Sequence, residues 1–120
     1  MVVSNSSPSL LLYLGRDRGR ERRPLSALCY AQSELNYTWL VWADGDRLLV
    51  PRSLSYFMPC LPASDFVRLH RGYIVNRRFV AGVERGLADQ RLMSLTTGEQ
   101  LPISRRQWML VRAWLSQPAN

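Results

Sequence analysis

Residues 66–76 read FVRLHRGYIVN and residues 101–107 read LPISRRQ, and the fold turns on how these two stretches are read. In the first, Phe66, Leu69, Tyr73, Ile74 and Val75 are apolar anchors. Between them, Arg68, His70, Arg71 and Asn76 cannot all be buried without partners. Gly72 stands in the middle, where a chain can turn sharply or let another backbone or a ligand come close. In the second stretch, Pro102 and Ile103 close a strand, Ser104 is a helix N-cap, and Gln107 three residues later completes a capping box. Arg105 and Arg106 then ride the first helical turn, where the helix dipole mildly disfavours cations. Exposed arginines in such a place point to an external anion, against the plainer alternative of a solvated helix face.

Working outward, Arg77 and Arg78 precede a strand over residues 79–83, and residues 86–90 form a polar turn. Residues 91–95 and 100–103 pair through Thr97-Gly98, a hairpin loop of about four residues. The helix from Ser104 carries Trp108, Val111, Arg112 and Leu115 on one stripe, with Trp114 beside it, and Pro118 ends it. Upstream, Ser53 caps a short helix with Leu54, Phe57, Met58 and Leu61 at helical spacing, stopped early by Pro59 and Pro62. Residues 37–43 are aromatic and β-branched, Asp44-Gly45 is a hairpin turn, and residues 47–50 return. Trp39 and Val41 face one side of that strand, while Thr38, Leu40 and Trp42 face the other. Both sides are largely apolar, so the strand is expected to be covered twice. Residues 32–36 read as a loop leading to Asn36 and Tyr37. Residues 10–14 form a strand, residues 15–23 a charged turn, and residues 24–31 the returning strand. Residues 1–9, rich in Ser, Asn and Pro, form a flexible arm.

A chain of 120 residues forms one domain with a real core. No stretch approaches the ~20 apolar residues of a membrane span. The arginines follow the apolar run 10–14 rather than precede it, the wrong order for a secretory signal, so a cytoplasmic location is expected. Cys29 and Cys60 match no metal spacing and are expected to be reduced and partly buried. With His70 as the sole histidine, no metal pair or second base exists. Asp44, Asp46 and Glu99 sit at turns, and Asp44-Gly45-Asp46 lacks the glutamate of a calcium loop. No serine has a nucleophile-elbow context. No enzyme, metal or cofactor is expected.

Charge is the more informative quantity. The formal net charge is +7, and all 16 basic residues are arginine. Residues 16–23 net +3, residues 68–78 net +4 and residues 101–120 net +3, which leaves the rest of the chain acidic. Arginine suits bidentate contacts with phosphate or a guanine edge. Positive charge gathered in three places favours a polyanionic partner.

The blocks HR-x-YIVN and G-x-x-LP-x-SRR at this spacing, with Asn36-Tyr37 before a hairpin and Arg52-Ser53-Leu54 opening a short helix, resemble the LytTR-type DNA-binding domain of bacterial response regulators. The resemblance covers nearly the whole chain, with the domain at 10–116, the arm at 1–9 and a tail at 117–120. It implies a mainly β, elongated fold of about ten short strands in three small antiparallel sheets with two short helices. It implies a transcriptional regulator that reads double-stranded DNA through loops placed in successive major grooves, at tandem or repeated half-sites, with a homodimer forming on DNA.

Carried over by position, the resemblance makes Asn36, Tyr37, Arg71 and Arg106 the base readers. Ser104, Arg105 and Gln107 hold phosphate, and Arg68, His70 and Gly72 assist. The chain departs from the family where Gly72 stands in place of a serine, and where the segment before Gln32 lacks acidic residues. No receiver domain stands on the chain as read, so the activating input is expected from a sensor or regulator partner, from expression level, or from a ligand. Two other functions fit the basic β-rich pattern. One is single-stranded RNA binding by stacking on Tyr37 or Trp39. The other is an interaction module that pairs with a full-length regulator.

Overall fold

Strands that carry apolar side chains on both faces force this chain into layers. The computed structural model describes residues 9–13 and 19–117. Its middle layer is an antiparallel sheet of β3 (Leu28–Glu34), β4 (Tyr37–Trp42), β5 (Arg47–Val50), β6 (Phe66–His70) and β7 (Tyr73–Asn76), in the order β5-β4-β3-β7-β6. One face of that sheet, through Leu28, Ala31, Leu40, Trp42 and Ile74, packs on the hairpin of β1 (Ser9–Tyr13) and β2 (Arg20–Pro24), and on α1 (Leu54–Phe57). The opposite face, through Tyr30, Val41, Leu69 and Val75, packs on β8 (Val80–Arg85), β9 (Arg91–Leu95), β10 (Gln100–Ile103) and α2 (Arg105–Ser116). The three-stranded sheet runs β10-β9-β8. Among the described residues the domain is therefore mainly β, with ten strands in three antiparallel sheets and two short helices.

A bulge in β3 explains how one strand feeds both cores. The register against β4 shifts between Leu28 and Tyr30, so Cys29 and Tyr30 face the same side in succession while Leu28 and Ala31 face the other. Burial pushes the Cys29 thiol up to about 11 and the Tyr30 phenol up to about 12, the latter helped by Glu99. Both groups are neutral packing residues at ordinary pH. Asn76, almost fully buried, meets the demand for a partner: its amide donates to the carbonyl of Leu28 at 2.8 Å and its oxygen accepts from the Arg78 N–H at 2.9 Å.

Several expectations need correction. The charged turn at 15–23 is partly strand, because Arg20–Pro24 pairs with Ser9–Tyr13 through Tyr13↔Arg20. The strand expected to return over 24–31 pairs instead with β4 and β7, after a 3-10 turn at Leu25–Ala27. The loop at 32–36 shrinks to Leu35-Asn36, since β3 runs on to Glu34. Phe79 closes a 3-10 turn, and the next strand is Val80–Arg85. Ser53 makes no side-chain cap bond, and Arg112 lies exposed rather than on the packed stripe of α2. Cys60 is exposed, where partial burial was expected. Residues 1–8, 14–18 and 118–120 lie outside the described residues. With them go most of the expected arm, Arg16, Arg18 and the stop at Pro118.

Candidate nucleic-acid interface

Antiparallel pairing sends two hairpins to the same end of the middle sheet. The first joins Glu34 to Tyr37 through Leu35 and Asn36, and the second joins His70 to Tyr73 through Arg71 and Gly72. The Ser33 N–H donates to the Gly72 carbonyl at 2.9 Å, which ties these ends together. The Ser104 N–H donates to the Leu69 carbonyl at 2.9 Å, which brings the start of α2 to the same edge. That bond also corrects the capping box. The Ser104 hydroxyl oxygen accepts from the Gln107 N–H at 3.2 Å, but the Ser104 N–H goes to β6 rather than to the Gln107 side chain. A hydroxyl that accepts inward still has its own proton to donate.

The β6–β7 turn is held from within. Arg68 donates to the carbonyl of His70 at 3.1 Å, to the carbonyl of Arg71 at 2.6 Å, and to the Ser55 hydroxyl at 3.5 Å. His70 Nδ1 accepts from the Gly72 N–H at 3.1 Å, so a neutral His70 carries its proton on Nε2. Gly72 does not adopt a left-handed φ. Its small size matters because a Cβ there would lie 3.3 Å from the Ser33 hydroxyl oxygen and 3.5 Å from His70 Nδ1. Arg71 projects from this braced turn and is exposed. Its guanidinium makes no hydrogen bond or ion pair among the described residues, and neither Asp65 nor Glu84 is bonded to it.

Arg68, His70, Arg71, Ser104, Arg106 and Gln107 line one surface hollow of about 410 Å³. Three of these residues come from residues 66–76 and three from residues 101–107. The guanidinium of Arg106, like that of Arg71, has no protein partner among the described residues. Arg105 points elsewhere, into a neighbouring hollow of about 290 Å³ shared with Leu87, Arg91 and Trp108. Asn36 and Tyr37 line neither hollow, although both are exposed at the first hairpin.

Not every arginine counted in the basic segments is available. Arg77 donates to the carbonyls of Ser64, Gln117 and Trp114, and lies 4.2 Å over the Trp114 ring. It thereby closes the C-terminal end of α2. Arg23 is paired with Glu21 at 3.2 Å and Asp46 at 2.7 Å, and lies over Trp42. Asp46 therefore does more than turn chemistry. Nothing in the local sequence marks Arg77 for this work, because its acceptors lie far along the chain. No helix among the described residues is long and apolar enough to cross a membrane, and no cluster among them could hold a metal ion.

A family model described as the LytTr DNA-binding domain matches residues 21–116. A solved LytTr DNA-binding domain from Bacillus cereus aligns with a TM-score of 0.76 and 24% identity, covering 89% of this chain and 97% of that one. At that identity the likeness carries the fold. No curated protein matches the chain.

Proposed function

Since the chain belongs to the LytTr family of DNA-binding domains and so binds DNA in transcription regulation, we propose that it reads duplex sequence with the three backbone segments gathered at one sheet edge. The observation that carries this reading is the shared hollow in which Arg71 and Arg106 stand with unpartnered guanidiniums. Each has the fork that fits guanine O6 and N7 in the major groove, a contact of about 1–3 kcal/mol in base discrimination. Asn36 and Tyr37 read a neighbouring base step from the first hairpin. Ser104, Arg105 and Gln107 hold phosphate at the start of α2, where the Ser104 hydroxyl keeps a proton to donate. Arg68, His70 and Gly72 act from behind, by fixing the turn that carries Arg71.

The DNA is bound at tandem or repeated half-sites by a pair of copies, in the cytoplasm, under control of a sensor or regulator protein. Selection of the purified chain against a pool of random duplexes tests the reading. The expected outcome is a short enriched motif in repeated copies. Affinity for it should fall with salt at a log–log slope of roughly −4 to −5, assuming ~4–6 phosphate contacts. Retention of single strands only would point to RNA binding instead, and no retention at all to an interaction module.

A further inference from the structure

We propose that Leu35 is a further base-reading residue, one that seats its side chain against the C5-methyl group of a thymine in the major groove. The inference rests on the duplex-reading edge described above. Leu35 is 94% exposed, at the tip of the two-residue turn between β3 and β4. Its φ is +55°, in the left-handed region that glycine and asparagine adopt readily and leucine does not. Asn36, the residue suited to that conformation, stands next to it instead. The tip thus carries two costs at once: an apolar side chain held in water and a strained backbone. Strain of this kind persists where function uses it.

Position says what the tip meets. Leu35 is two residues from Ser33, whose N–H is bonded to Gly72, so the tip lies within about 7 Å of strand length from the turn that presents Arg71. Its immediate neighbours on the hairpin are the exposed Asn36 and Tyr37. The adjacent carboxylate, Glu34, is drawn down the strand by the Trp39 indole N–H at 3.3 Å, and Arg47 covers that ring at 4.8 Å. Leu35 and the half-exposed Tyr37, interrupted by Glu34 and Asn36, make too small an apolar area for a protein interface. In the major groove the thymine methyl is the apolar group that a side chain such as this can recognise, alongside the polar edges read by Arg and Asn.

The test uses the most enriched duplex from the random pool, with each thymidine replaced singly by deoxyuridine. Deoxyuridine pairs identically but lacks the methyl group. One replacement should weaken binding of the native chain about threefold to tenfold. Leu35→Ala should weaken binding to the parent duplex by a similar factor and be indifferent to that replacement. Leu35→Gly, free to adopt the left-handed φ, should lose the same sensitivity while its thermal midpoint holds or rises, which separates reading from folding. The proposal is overturned if the native chain tolerates every replacement, or if Leu35→Ala keeps the sensitivity. Either result leaves Arg71 and Arg106 as readers if their own variants still lose base preference. If no duplex is enriched, the edge itself is wrong and Leu35 falls with it.

Discussion

Arg71 and Arg77 flank the same short strand, Tyr73–Asn76, and their surroundings could hardly differ more. Arg71 stands in the turn before it, exposed, with its backbone carbonyl occupied by Arg68 and its guanidinium unpartnered among the described residues. Arg77 follows the strand and spends its guanidinium on the carbonyls of Ser64, Trp114 and Gln117, over the Trp114 ring. A sum of charge over 68–78 counts them equally. What separates them is whether carbonyl acceptors lie within reach: a satisfied arginine is a structural cap, and an unsatisfied one on an ordered turn is ready for an outside anion.

The largest expected effect lies on the closed side of the molecule. Trp42 is buried under Arg23, whose guanidinium lies 5.2 Å from the ring, and its strand is second from the edge of the middle sheet. Trp42→Ala should cost about 3 kcal/mol or more, measured by denaturant unfolding. An unchanged midpoint would mean that this face is not a core. Arg77→Ala comes next. Loss of its bonds to the end of α2 should destabilise by about 2 kcal/mol, while the ratio of affinities for an enriched and a scrambled duplex stays unchanged. A collapse of that ratio with stability intact would put Arg77 on the DNA side and erase the contrast. Ser104→Ala is the smallest of the three, because it removes one N-cap bond. About 1 kcal/mol of stability should go, with a modest, sequence-independent loss of DNA affinity.

These differences mark where the sequence is legible. Alternation around Trp39 to Trp42 announced a strand covered twice, and Ser104 with its helix was readable because cap, stripe and spacing are local signals. The loop expected at 32–36 was misread because Gln32, Ser33 and Glu34 look like loop chemistry. Ser33 and Glu34 pair with Thr38 and Tyr37 across a two-residue turn, and Gln32 pairs with Tyr73, a partner far along the chain. Distance in the sequence also hid β2, whose charged run RERRP makes a strand only because β1 pairs with it. It also hid Arg77, whose acceptors lie at 64, 114 and 117. The Ser104–Leu69 backbone bond that assembles the edge has no sequence signature at all, although the two stretches it joins were each visible on their own.

The most direct test sets Arg71 and Arg106 against the chain's other charge. Affinities of the native chain, Arg71→Ala, Arg106→Ala and Arg20→Ala should be measured for an enriched duplex and for a scrambled duplex of the same length, at one fixed salt concentration. Arg71→Ala and Arg106→Ala should each lose about 1–3 kcal/mol on the enriched duplex alone, and each relax preference at one base position. Arg20→Ala, in a strand of the small β1–β2 sheet, should lose the same small amount on both duplexes. Equal losses on both duplexes for Arg71→Ala and Arg106→Ala would make them phosphate clamps and contradict the assignment of this edge as the reader of sequence.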